Sequence, residues 1–138
     1  MTQEEKQLVF KDICARLPYN VIVRVESDDT VFAIRLNQNN ISEFSNDKYE
    51  LTPYLRPMLS MTKEERKDFV YTVGVSGKVN ILGDLMLDYK RDYINISETT
   101  RIINWLNAHH FDYRRLIEKG LALEYTKDCD SFKFDNSI

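Results

Sequence analysis

The sequence predicts a small α+β domain, and three observations carry that reading. Thr2 and Glu5 form a capping box ahead of a first helix, residues 21–36 alternate in hydropathy with period two, and Ile102, Ile103, Trp105 and Leu106 make an apolar stripe at helical spacing. An antiparallel sheet containing a hairpin should therefore pack against an amino-terminal helix and a carboxy-terminal helix pair.

In the first capping box the Thr2 hydroxyl and the Glu5 carboxylate satisfy free backbone N–H groups reciprocally. The helix should stop before Pro18, which lacks a backbone donor and disfavours helical geometry in the residue before it. Its apolar face is read as Phe10, Ile13, Cys14 and Leu17. Within residues 21–36, a two-residue loop at Asp28-Asp29 sets Val25 opposite Phe32, Val23 opposite Ile34 and Val21 opposite Leu36. That single register places all six apolar side chains on one face and leaves Arg24, Glu26 and Arg35 on a solvated or partly covered one.

Residues 37–47 are polar and without a period, so they read as a loop. Pro53 and Pro57 forbid a regular helix over residues 49–61 and confine any strand there to a sheet edge. A second capping box, Thr62 with Glu65, opens a charged helix whose apolar residues Phe69, Val70 and Val73 gather at its end. Gly74 and Gly77 bracket an expected turn, and Val79, Ile81, Leu85, Leu87 and Tyr89 alternate as one or two strands broken at Gly83-Asp84. Ser97 is expected to cap a helix running to about His109, and Asp112 a short one over residues 113–119, closed by a left-handed Gly120. Leu121, Leu123 and Tyr125 then alternate as a final strand. No repeat, low-complexity tract or linker interrupts the chain, which reads as one domain over residues 1–138 with one core.

Composition bounds the function. With 19 Lys and Arg against 22 Asp and Glu, a net charge of -3 and 43% hydrophobic residues, the 138-residue chain is neither disordered nor a basic coat for nucleic acid. No apolar run approaches the ~20 residues of a membrane span, and the polar start Met1-Thr2-Gln3-Glu4 is unlike a secretory signal. The expectation is a cytoplasmic protein with no membrane contact.

The chemistry-bearing residues are few. Cys14 and Cys129 belong to no zinc or disulfide spacing; Cys14 reads as a small core residue and Cys129 as part of a polar tail. His109 and His110 are adjacent, so on a helix they point about 100° apart and cannot chelate one metal. A helix terminus, where His complements the dipole, is the plainer reading. Asp84, Asp88 and Asp92 recur every four residues, a pattern compatible with a hard cation, yet Lys90 and Arg91 compete for them and a solvated face explains the series. Tyr89, Lys90, Arg91 and Tyr93 could stack on single-stranded bases, and the two carboxy-terminal helices outline a helix-turn-helix. There, however, Arg101, Arg114, Arg115 and Lys119 are balanced by Glu98, Asp112, Glu118 and Glu124, which removes the positive field a recognition helix needs. Walker, dinucleotide, nucleophile-elbow and zincin motifs are missing, so the sequence predicts no cofactor, no metal and no catalytic residue.

Three blocks stand out as idiosyncratic: residues 11–21 with Pro18-Tyr19-Asn20, residues 53–58 running into 60–65 with Pro53-Tyr54-Leu55-Arg56-Pro57, and residues 105–122 with His109-His110-Phe111-Asp112-Tyr113-Arg114-Arg115. In these the chain resembles a family of small uncharacterised proteins of gut Bacteroidales and their phages and prophages. The resemblance implies no activity and carries over no catalytic residue. It does imply Gly at the positions of Asn20 and Arg115; Asn tolerates a left-handed turn, whereas Arg115 would alter any contact that approaches the backbone there. The expected function is that of a cytoplasmic accessory or protein-interaction protein of a phage or mobile element. A patch of His109, His110, Tyr113, Arg114 and Arg115 would bind the partner, with Tyr and Arg as anchors. The local alternative is that Asp112 caps, Tyr113 packs and Arg114 snorkels. A nucleic-acid-binding regulator, and an enzyme with a site assembled from scattered residues, are the other readings.

Overall fold

A computed structural model of the chain describes residues 1–88, 96–126 and Cys129. The elements run α1 (Gln3–Arg16), β1 (Val21–Glu26), β2 (Val31–Leu36), α2 (Ile41–Phe44), β3 (Glu50–Leu55), α3 (Lys63–Val73), β4 (Ser76–Val79), β5 (Leu85–Asp88), α4 (Ile96–Ala108) and β6 (Leu123–Glu124), with 3-10 turns at Leu17–Tyr19 and Met58–Ser60. The fold is α+β with antiparallel pairing dominant. The chain forms two compact units, Met1–Leu55 with Arg114–Ile138, and Arg56–Tyr113.

In the first unit the strand order is β2-β1-β3-β6, with β6 parallel to β3. The hairpin has the register that its alternation predicts: Val25 opposite Phe32, Val23 opposite Ile34, Val21 opposite Leu36. Those side chains, with Val9 and Ile13 of α1 and Leu116 and Leu121 of the returning chain, form the core of this unit. In the second unit α3 packs on α4 and on β4, and Phe69, Val73, Trp105, Leu106 and Phe111 form a separate core. The sequence predicts one core where the structure has two.

Both capping boxes form. Thr2 Oγ1 accepts from the Glu5 backbone N–H at 3.1 Å while Glu5 Oε1 accepts from that of Thr2 at 2.8 Å, and Thr62 with Glu65 repeats the exchange at 3.1 and 3.0 Å. Other expectations change. The buried face of α1 is Val9, Asp12, Ile13 and Arg16, so Cys14 and Phe10 are exposed. An apolar count along the helix mislocates this face because Asp12 and Arg16 neutralise one another inside it. Cys129 is buried, its Sγ accepting from the Thr126 N–H. The loop over residues 37–47 contains one helical turn, α2, prepared by reciprocal bonds in which Asn37 Oδ1 accepts from the Asn40 N–H and Asn40 Oδ1 from the Asn37 N–H.

β3 lies inside its sheet despite Pro53. The ladder with β6 involves only Tyr54 and Leu55, so Pro53 pairs with Val23 of β1 on one side and meets no strand of the described residues on the other. The proline restriction holds locally. Gly74 closes α3 at φ +82, but Gly77 is a strand residue paired with Leu87, where an added Cβ would come within 3.1 Å of Leu87 Cδ2. Close packing, and not a turn, is what requires glycine there. Ser97, expected to cap α4, is a helical residue within it.

The short helix expected over residues 113–119 is a run of turns. Arg115 adopts φ +60, which a helix excludes, and Leu121 N–H reaches back across the left-handed Gly120 to the Leu116 carbonyl at 2.9 Å to close the segment. Asn20 also takes a positive φ, +56, so both positions have backbones that favour glycine. Left-handed geometry costs a side-chain-bearing residue about 1–2 kcal/mol, part of which glycine returns through its freer unfolded state. Arg115→Gly should therefore raise stability by about 0.5–1 kcal/mol and Arg115→Val should lower it, measured by urea denaturation. The exposed Arg115–Glu118 contact at 3.5 Å adds almost nothing to the balance.

Candidate interaction site

The five residues expected to form a partner-binding patch fall in different units. In the second unit, His109 directly follows α4 with its ring stacked on Trp105 at 4.0 Å between centroids, and its Nδ1 is 2.9 Å from the Trp105 carbonyl oxygen. The helix-terminus reading of this histidine describes that geometry. Trp105 is fixed on its other sides: Nε1 donates to Asp68 Oδ2 at 2.9 Å, Phe69 meets the ring edge-on at 5.1 Å, and Phe111 lies nearly parallel at 5.8 Å. His110 takes φ +59, and this bend brings its carbonyl to the Arg56 N–H and the Asp112 N–H to the Arg56 carbonyl, both at 2.8 Å. Tyr113 donates its hydroxyl proton to Asn107 Oδ1 at 2.8 Å.

Arg56 completes this arrangement. Its guanidinium lies 4.3 Å from the Phe111 ring centroid and grips Glu65 through two bonds, of 2.5 and 2.7 Å. The Arg56 hydrogen bonds hold the Glu65 carboxyl well below the usual carboxylate range, at about 2.

In the first unit, Arg114 Nη1 donates to Asp12 Oδ1 at 2.7 Å. The same carboxylate accepts from Arg16 Nε at 3.0 Å and Nη2 at 3.2 Å, and the Asp12 and Arg16 side chains are 0% exposed. Arg114 is therefore the second cation on a buried anion. Its partner lies 102 residues away, which no local pattern announces. Arg115 stands at the surface beside Glu118.

Each of Tyr113 and Arg114 thus has an intramolecular reason for its place. Among the described residues, no three His, Cys, Asp or Glu side chains are grouped to hold a metal ion. Asp92, Tyr89, Lys90, Arg91 and Tyr93 lie outside the described residues. Cys14, though exposed, has its thiol pushed up by the desolvation that neighbouring groups impose, which keeps it protonated.

The feature that sequence reading missed is the tip of the β4–β5 hairpin. Asn80 Oδ1 accepts from the backbone N–H groups of Leu82 at 2.9 Å and Asp84 at 3.0 Å, the Asn80 N–H reaches the Asp84 carbonyl at 2.9 Å, and Gly83 turns at φ +83. On this frame Ile81 and Leu82 are 90% and 68% exposed. Below them Lys78 opposes Met86 on the outer face, while Val79, Leu85 and Leu87 pack inward. The alternation of residues 79–89 absorbs Ile81 into a strand; the overlooked signal is the Asn-x-x-Gly spacing, which places Ile81 in the turn.

The Arg56–Glu65 pair predicts an acid response. Because Glu65 titrates at about 2 instead of 4.5, its ionised form stabilises the fold fully above pH 4.5 and loses that contribution as the pH falls toward about 2. Glu65→Gln retains the capping box, so at neutral pH it should cost about 1–2 kcal/mol, a gap that closes near the acid end of a pH series of thermal melts. No protein-family model matches the chain, and neither a curated protein nor a solved structure matches it.

Proposed function

We propose that the chain is a non-enzymatic accessory protein of a phage, prophage or mobile element that works in the host cytoplasm by binding a protein partner. The hairpin tip carries this reading. Two large aliphatic side chains held in water on a hydrogen-bonded turn contribute nothing to the core of their unit, whereas burial against a partner would release their apolar surface at about 25 cal/mol per Å². Met86, 51% exposed, extends the apolar surface along β5.

The tip suits this role better than the corner at residues 109–115. His109, Tyr113 and Arg114 are engaged within their own units, and removing Arg114 would strip a cation from a buried carboxylate. A helix-turn-helix reading of nucleic-acid binding lacks its second helix, since residues 113–119 are turns. No described helix is long and apolar enough to cross a membrane.

Ile81→Ser with Leu82→Ser tests the proposal without touching the core. A photo-crosslinking residue placed at Met86 should capture a discrete protein from lysate of a phage-carrying Bacteroidales host, and the double substitution should abolish that capture at an unchanged melting temperature. Equal capture by the variant, or retention of nucleic acid alone, would overturn it.

A further inference from the structure

The first unit holds an open cavity of about 380 Å³ between α1 and residues 44–51. Its floor is apolar: Val9, Ile13 and Phe44 are buried side chains of the core. Its flanks are aromatic. Phe10 stands 42% exposed on the α1 side, and Tyr49 on the other side meets Phe44 edge-on at 5.3 Å between centroids. A volume of this order accommodates a small molecule.

The two rims carry opposite charge. Lys6 and Lys11 line the α1 side and Asp47 and Glu50 the other, with Lys48 outside the lining and its Nζ 5.3 Å from the Tyr49 ring centroid, and among the described residues none of the four lining charges has an ion pair or a side-chain hydrogen bond. An anionic ligand would be drawn to one rim and repelled by the other, and a cationic ligand likewise. A molecule with both charges and an aromatic body is attracted by both.

We infer that this cavity binds an aromatic zwitterion of the amino-acid class, its ring between Phe10 and Tyr49, its carboxylate toward Lys6 and Lys11, and its ammonium toward Asp47 and Glu50. The apolar floor and the aromatic flanks supply most of the affinity and the exposed charges supply the selection, since contacts at such exposure discriminate by about two- to fivefold each.

Three matched probes separate these contributions. L-tryptophan carries both charges, tryptamine lacks the carboxylate, and indole-3-propionate lacks the ammonium. In an amide-resolved NMR titration of the full chain, L-tryptophan should shift resonances of residues 6–13 and 44–51 with a dissociation constant of about 1 mM or tighter. It should bind about two- to fivefold more tightly than either analogue. Lys6→Gln with Lys11→Gln should remove the advantage over tryptamine alone, and Asp47→Asn with Glu50→Gln the advantage over indole-3-propionate alone; thermal melts of these surface variants check that the fold is intact. Equal affinity for the three probes, shifts confined to other residues, or no shifts at about 10 mM L-tryptophan would overturn the assignment.

Discussion

The first unit depends on one buried carboxylate. Asp12 sits on the inward face of α1, where an unpaired charge would be prohibitive, and it is tolerated because Arg16 one turn later and Arg114 from the far end of the chain both donate to it. The two arginines contribute differently. The Arg16 contact is local to the helix and forms wherever the helix does. The Arg114 contact fixes where the chain re-enters this unit, and Leu116, Leu121 and Ala122 then reach the core before β6 settles beside β3. A buried ion pair contributes little net stability over an apolar replacement, but breaking one is expensive, so the group acts as a constraint on register more than as a source of affinity.

The second unit is organised around another guanidinium. Arg56 joins Phe111 through its face and Glu65 through its fork, and its backbone joins residues 110 and 112. Glu65 closes the capping box of α3 with the same carboxylate that binds Arg56, so the start of that helix and the end of α4 are coupled through a few atoms. Trp105 extends the coupling, with Phe111 and His109 stacked against it and Asp68 holding its indole nitrogen. Such bonded and stacked groups retain their geometry because each leaves its neighbour few alternatives.

Legibility in the sequence followed the range of the forces involved. The hairpin register is readable because alternation and a two-residue loop specify it within sixteen residues, and the capping boxes because each closes over three. The face of α1 was not readable: its buried stripe includes Asp12 and Arg16, and their neutrality depends partly on Arg114. Pro53 and Gly77 take places that no local pattern specifies, for a related reason: the deciding feature in each case is the neighbouring chain, a short β6 for one and the Leu87 side chain for the other. At the candidate site, the co-occurrence of His109, Tyr113 and Arg114 invited a partner, and their actual partners, Trp105, Asn107 and Asp12, are supplied by the fold.

With those polar side chains engaged inside the fold, the groups left for a partner at the surface are apolar ones. Polar groups that satisfy each other internally have little free energy left for a ligand, whereas exposed aliphatic carbon retains all of its unfavourable hydration. A flexible tip would surrender much of that gain to ordering upon binding. The tip at residues 80–84 is already held by Asn80 through its side chain and its backbone, so Ile81 and Leu82 can be buried with little further loss of backbone freedom. Preorganisation of this kind is what distinguishes a binding anchor from an ordinary hydrophobic residue on a surface.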